Sequence, residues 1–437
     1  MARNGRRRAP WAAVGGAALL ALGGTAWLVW AGAADDGPRE SWRAAEADTG
    51  GDGASDLALW VHDGVVARVG PTGVGAIVGH DAADGAARWR LPAPEGTEGP
   101  CAASERVNAE GVGVVLYHSP DAGGCTVLAA IDAGDGALLW SHDFGALDPA
   151  LTSPPGESAT VAVGATTVTV KLSPANIPEG FFRLDLASGQ LLPAPGDVPG
   201  QGCATGWVPV TVDHADARLV TLARCADAAE AGAEPRLAMG VHDAETGEPL
   251  WGRALENLAV IPADVVAGPA GGPLVVAQGE ALVAYSEAGQ ELWRLAADGR
   301  GLVERAVTDG VLVVESLPTD DVGDEGADES AGVTFEGYAL DDGERLWRGT
   351  FPEGTAFLGA DPATGRALLG SYAYAQGEGG QLTLSWLGLA DGATEGAGTV
   401  PFPLERGTVE ALAAFDAERF YLGGGLASEA RLRAFAR

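Results

Sequence analysis

The chain has 437 residues, 66 of them Gly, and carries 27 Lys and Arg against 60 Asp and Glu, a formal net charge of −33. Four of the arginines lie in the first eight residues, so the remainder opposes every acidic side chain, and such a surface repels phosphate. Nucleic acid is thereby excluded as an expected partner, because affinity for it comes from Lys and Arg neutralising phosphates. An acidic surface of this kind keeps an exported protein soluble.

Arg3, Arg6, Arg7 and Arg8 precede a stretch from Ala9 to Ala34 without an ionisable side chain, followed by Asp35 and Asp36. A run of that length and polarity reads as a single transmembrane helix or signal anchor over 9–34. Residues 1–8 then form a cytoplasmic basic N-terminus, 35–39 an acidic linker, and everything beyond lies outside the cell membrane. Trp27 and Trp30 sit near the outer end, where interfacial anchors belong. Ala31-Gly32-Ala33 also has the small-x-small form of a cleavage site, so a cleaved signal peptide is the alternative.

From residue 40 onward the sequence repeats. Seven turns are marked by Gly85, Gly136, Gly189, Gly247, Gly289, Gly343 and Gly392, between 42 and 58 residues apart. Trp stands four residues after the glycine at Trp89, Trp140, Trp251, Trp293 and Trp347, with Pro193 and Gly396 in that place in the other two units. Asp stands four residues before it at Asp81, Asp132, Asp185 and Asp243, while the turns at Ser286, Asp341 and Asp391 look shortened. The physical unit is a hairpin in which the Asp carboxylate accepts turn N–H groups and the Gly supplies a positive φ. Its outgoing strand delivers a Trp at a fixed distance, placed to wedge between neighbouring sheets. Short alternating strands such as 310–315 and 273–277 fill the intervals, without convincing helical periodicity. A period near fifty with about four strands per unit predicts an all-β fold, a β-propeller.

His242-Asp-Ala-Glu-Thr-Gly-Glu-Pro-Leu-Trp251 and Ile131-Asp-Ala-Gly-Asp-Gly-Ala-Leu-Leu-Trp140 resemble the Ala-x-Asp-x-x-Thr-Gly-x-x-x-Trp signature of PQQ-like (pyrroloquinoline quinone) propeller repeats. That family holds quinoprotein dehydrogenases and cofactor-free envelope proteins, so the resemblance implies a fold more firmly than an activity.

The chain ends decide the expected blade count. Three strand-like segments, 408–415, 419–423 and 430–436, follow the last turn unit, and the chain stops where a Gly turn and outer strand would come. Trp42 lies one repeat before Trp89, in Glu40-Ser41-Trp42-Arg43. The expected architecture is therefore an eight-bladed propeller over 40–437, with seven blades as the alternative. Its last blade takes its outer strand from the segment around Trp42, because an unpaired edge exposes backbone groups.

Cys101, Cys125, Cys203 and Cys225 lie on the oxidising side of the membrane. Proximity pairs Cys101 with Cys125 and Cys203 with Cys225, each within one blade; free thiols or a metal site are the alternatives, and no Cys-x-x-Cys spacing supports zinc. The family resemblance implies that quinone-binding dehydrogenases carry a disulfide between adjacent cysteines against the cofactor. No two cysteines are adjacent here, so no PQQ or other cofactor is expected. His62, His80, His118, His142, His214 and His242 show no metal-binding spacing, and His80 and His242 fall at the same repeat position before the turn Asp. The acidic run from Asp320 to Glu329 lacks the register of a calcium loop and reads as a solvated insertion. No catalytic or metal residues are assigned. The expected function is a non-catalytic, membrane-anchored binding or scaffolding module of the cell envelope with an unknown protein or ligand as partner. The alternatives are a quinoprotein dehydrogenase and a sensor serving a separate signalling chain.

Overall fold

A computed structural model of the chain describes residues 38–44, 56–70, 76–148, 151–153, 159–172, 180–195, 198, 200–203, 206–215, 217–225, 237–255, 265–267, 272–278, 281–296, 300–308, 310–318, 332–373, 381–401, 411–424 and 432–437. The expected membrane helix at 9–34, the cytoplasmic residues 1–8 and the acidic run of Asp320 to Glu329 lie outside the described residues. Among the described residues, no helix is long and apolar enough to cross a membrane.

The strands form eight four-stranded antiparallel sheets, each built from consecutive strands except the last. Blade 1 runs from strand Ala58–His62 to strand Ala87–Pro92, blade 2 from Pro100–Ala103 to Leu138–Asp143, and blade 3 from Thr160–Val163 to Leu191–Leu192. Blade 4 runs from Trp207–Ala215 to Pro249–Leu255, blade 5 from Val265–Ala267 to Glu291–Ala296, blade 6 from Arg300–Thr308 to Arg345–Phe351, and blade 7 from Thr355–Asp361 to Thr394–Pro401. The first strands of neighbouring blades touch around the ring, which makes them innermost. Last strands such as Ala87–Pro92 and Leu138–Asp143 are largely exposed and lie outermost.

Blade 8 closes the ring. Its order is Ala411–Phe415, Arg419–Gly424, Arg433–Ala436 and then Glu40–Arg43, so the segment around Trp42 is the outer strand, as the sequence predicts. The register pairs Glu40 with Phe435, Trp42 with Ala434 and Arg43 with Arg433. Trp42 is buried, and its indole N–H donates to the Ala82 carbonyl of blade 1 at 2.9 Å. A second tie joins the same two blades nearer the axis. The buried Asp56 carboxylate accepts from Arg68 Nε at 2.7 Å in blade 1 and from the Gly424 amide at 2.6 Å in blade 8.

The same staple recurs around the ring. The seven turn glycines have φ between 67° and 76°. Six of them are also covered by a Trp of the preceding blade: Gly85 by Trp42, Gly136 by Trp89, Gly189 by Trp140, Gly289 by Trp251, Gly343 by Trp293 and Gly392 by Trp347. At Gly136 both demands meet, since a Cβ would be strained by the positive φ and would strike the Trp89 ring. Trp140, Trp293 and Trp347 donate to Leu186, Leu340 and Leu389 carbonyls at 2.7–2.8 Å, matching Trp42. The turn carboxylates accept amides as expected: Asp81 from Ala83, Asp132 from Gly134, Asp185 from Ser188 and Asp243 from Thr246.

Two details differ from the sequence expectation. Only the turn at Ser286 is shortened, with the Gly289 amide bonding three residues back. The turns at Asp341 and Asp391 are full length: Gly343 and Gly392 reach Ala339 and Gly388 carbonyls four residues back. There the capping carboxylate has moved next to the glycine, where Asp342 and Asp391 accept from Glu344 and Ala393 at 2.9 Å. The second difference is at Pro193, whose unit has no Trp. Arg183 of the adjacent strand covers Gly247 instead.

Trp42→Ala is expected to cost about 3–5 kcal/mol, as truncation of a buried ring does. Chemical denaturation should show it matching Trp140→Ala, and deleting residues 35–48 should abolish cooperative unfolding.

Candidate binding surface

In a four-stranded antiparallel blade, the turns between strands one and two and between three and four fall at one end, while the remaining connections fall at the other. The first end carries the glycine turns, which are short and nearly identical from blade to blade, together with the strand one to two connections, which are short at His62 to Val65 and longer at Ala103 to Val112 and Ala267 to Leu274. The opposite end carries the unequal connections, including Cys225 to Leu237, Pro318 to Val333 and Pro401 to Ala411. Connections of varied length on a rigid ring are where binding specificity ordinarily resides.

Both disulfides brace this variable face. Cys101, at the start of the first strand of blade 2, bonds to Cys125 at the start of the third, with Cα atoms 6.5 Å apart. Cys203 precedes the first strand of blade 4 and bonds to Cys225 at the end of the second, with Cα atoms 5.7 Å apart. Both are links within a blade, the pairing that proximity predicts, and the free-thiol alternative is set aside. Cys125 also makes an isolated bridge with Ser153, fixing the connection that enters blade 3.

His62, His118 and His142 lie apart from one another. His118 Nδ1 lies 3.2 Å from Glu98, His62 Nε2 lies 3.5 Å from Asp63, and His142 packs at 4.9 Å from the Phe144 ring. His80 and His242 occupy the same place in the third strands of blades 1 and 4, the repeat position expected of them. Their surroundings differ: His80 stacks on Trp42 at 6.2 Å, whereas His242 faces the blade that supplies Arg183. No group of three or more His, Cys, Asp or Glu able to hold a metal occurs among the described residues.

Three features escape motif reading because tertiary packing creates them. Lys171, the single lysine, is buried with its ammonium on the Leu172 carbonyl, and desolvation lowers it to about 8. Glu336 is fully buried in blade 6, accepting from Tyr338 Oη at 3.1 Å and from Arg345 at 3.3 Å. Trp386, on the third strand of blade 7, meets Phe420 edge-on at 5.5 Å and fills the seam that lacks an outer-strand Trp. On the perimeter, Leu139, Leu250, Leu292 and Leu346 each precede a staple Trp and are exposed, one per blade rather than as a patch.

A family profile described as "Outer membrane protein assembly factor BamB" matches residues 28–193 and 239–418, most of the chain and both runs of turn units. The chain belongs to the PQQ-like β-propeller repeat family. Among solved structures, BamB from Moraxella catarrhalis is similar at 15% identity and a TM-score of 0.50, over 87% of this chain and 96% of that one. Sqt1 of Saccharomyces cerevisiae is similar at 10% identity and a TM-score of 0.56, over 92% and 100%. The quinohemoprotein alcohol dehydrogenase ADHIIG of Pseudomonas putida HK5 is similar at 13% identity and a TM-score of 0.50, over 91% and 75%. At these identities the likeness is one of fold. No curated protein matches the chain in sequence.

The dehydrogenase relative raises the question of a quinone. The family resemblance implies that in quinoprotein alcohol dehydrogenases a disulfide between adjacent cysteines lies against the quinone. Here the bonded cysteines are 24 and 22 residues apart and tie strands together within blades 2 and 4. The residues present do not fit that arrangement.

Replacing Cys101 and Cys125 together by Ser should lower unfolding stability by roughly 3.5 kcal/mol from restored loop entropy. Non-reducing peptide mapping of the variant should still recover the Cys203–Cys225 link.

Proposed function

We propose that this propeller is a non-catalytic scaffold of the cell envelope, anchored by residues 9–34, that holds a protein partner on the face opposite its glycine turns. The observation that carries the reading is the asymmetry of the two faces. On one, the repeat's Asp, Gly and Trp residues are consumed in stapling blades. On the other, unequal connections are braced by two disulfides. A ring built in this way offers a fixed platform whose loops vary without cost to its closure.

Oxidised cysteines, the acidic surface and the uncharged N-terminal run support placement outside the membrane. BamB and the quinohemoprotein dehydrogenase share the fold with opposite chemistries, so the fold supports either; the spacing of the cysteines favours the scaffold. A quinoprotein enzyme is the second reading. Dye-linked dehydrogenase activity gained on adding PQQ and calcium to the purified protein would favour it.

The test follows from the side-chain inventory. Amine-directed reagents have one buried target in Lys171, so carboxylate-directed crosslinking of the intact anchored protein in cells, read by mass spectrometry, is the suitable experiment. Crosslinks to envelope proteins are expected from acids of the variable face, such as Glu95, Glu98 and Asp121. Partner crosslinks confined to Asp84, Asp135 and Asp342 on the turn face would contradict the assignment.

A further inference from the structure

Strand alternation gives blade 3 two unlike faces. Val168, Val170 and Leu184 join Val114, Leu116 and Leu128 in an apolar cluster against blade 2. One residue out of phase, Thr167, Thr169 and Lys171 are buried on the face toward blade 4, with Arg183 beside them. Blade 4 answers with His214 and His242, aligned in one row through Leu219. The apolar packing of this seam shrinks to small groups: Phe181 with Val212, Leu219 and Ala244, and Val198 with Ala223 and Ala238. Blade 3 also has the shortest outer strand, Leu191–Leu192.

Arg183 replaces the missing Trp by hydrogen bonding. Its Nη2 donates to the Ala244 and Glu245 carbonyls at 2.6 and 3.0 Å, and its Nη1 to Pro193 at 3.0 Å. Across the same seam, Thr169 Oγ1 and His214 Nε2 are 2.7 Å apart, and Arg106 of blade 2 donates to the His214 carbonyl at 3.2 Å. Among the described residues, the Nδ1 atoms of His214 and His242 are buried without a hydrogen-bond partner. The cations acting on the rings are Arg183 on both and Arg106 on His214, with Lys171 buried on the strand opposite. Two carboxylates lie on the same strands: Asp213 accepts from the His214 amide at 2.7 Å, and Asp243 is engaged in its own turn with Thr246 and acts on Arg183.

We propose that the seam between blades 3 and 4 is an acid-sensitive latch: protonation of His214 and His242 parts these two blades while the other seams stay closed. Burial first, and then the neighbouring guanidinium groups, hold His214 down to about 3 and His242 down to about 4. Opening exposes both rings to water, where imidazole returns to its ordinary value near 6.5. Opening therefore takes up protons: the closed seam has its full stability above pH 6.5 and loses it as pH falls below that value. Each ring favours the open form by about tenfold per pH unit below 6.5, so the pair shifts the equilibrium on the order of a thousandfold between pH 7.5 and pH 5. The repeat supplies a comparison in His80, at the same position in blade 1, whose ring packs on Trp42 at 6.2 Å instead of facing Arg183.

Hydrogen exchange with mass spectrometry on the full chain at the two pH values, corrected for intrinsic rates, reads this directly. Peptides within 160–172, 181–192, 207–225 and 237–247 should lose protection by a factor approaching that thousandfold, while 40–44, 76–82 and 432–437 keep theirs. Uniform loss around the ring, or no loss at the seam, would overturn the proposal. His214→Gln with His242→Gln should flatten the pH response; should that variant fail to fold, His242→Gln alone should reduce it to about thirtyfold. An unchanged response in either would equally overturn it.

Discussion

The whole architecture depends on hydrogen bonds between two strands nearly four hundred residues apart in sequence. Glu40–Arg43 pairs with Arg433–Ala436, and without that pairing blade 8 has three strands and an open edge. The ring closes twice at this one seam, outside through Trp42 on Ala82 and Gly85, and inside through Asp56 between Arg68 and Gly424. Burying the Asp56 carboxylate is costly, and desolvation raises its pKa despite the Arg68 charge beside it. It is nevertheless placed where both chain ends must be held to the first blade. The closing contacts are the most distant in sequence and so carry the largest loop-closure cost.

The same logic explains which parts of the structure were legible in the sequence. Gly136 and Trp140 can be read because a turn of positive φ and a wedge at fixed distance each restrict the choice of residue, and the restriction recurs in unit after unit. Trp42 was legible for the same reason, one repeat before Trp89. Cys101 and Cys125 were legible from proximity, since both ends of a short loop fall within one blade. Arg183 was not, because its role depends on its place on the strand beside Leu192 and Pro193, where Trp is missing. Nor was the true length of the turns at Gly343 and Gly392, where the capping carboxylate has changed place while the backbone bond to Ala339 and Gly388 has not. Trp386 lies on a third strand, outside any repeat position for Trp, and only the packing of blade 7 on Phe420 gives it meaning.

The division between stapled face and variable face is the basis of the proposed function. The staples absorb the chemically distinctive residues of the repeat, which is why the signature is so informative about architecture and so poor at naming a function. The unequal connections are where the repeat imposes nothing, and the proposed partner face lies there. The polar seam beside Arg183 is the exception: there the staple itself has been replaced, and a ring otherwise held by apolar wedges acquires a titratable joint.

The central claim is that the terminal strands form one cooperative unit with the rest of the ring. Native-state exchange of the Arg433–Ala436 amides at neutral pH, compared with those of Leu128–Ala130 in the middle of blade 2, tests it most directly. The account predicts that both sets exchange only through global unfolding, with the same dependence on denaturant. Fast, denaturant-independent exchange at Arg433–Ala436, as in a frayed chain end, would contradict it.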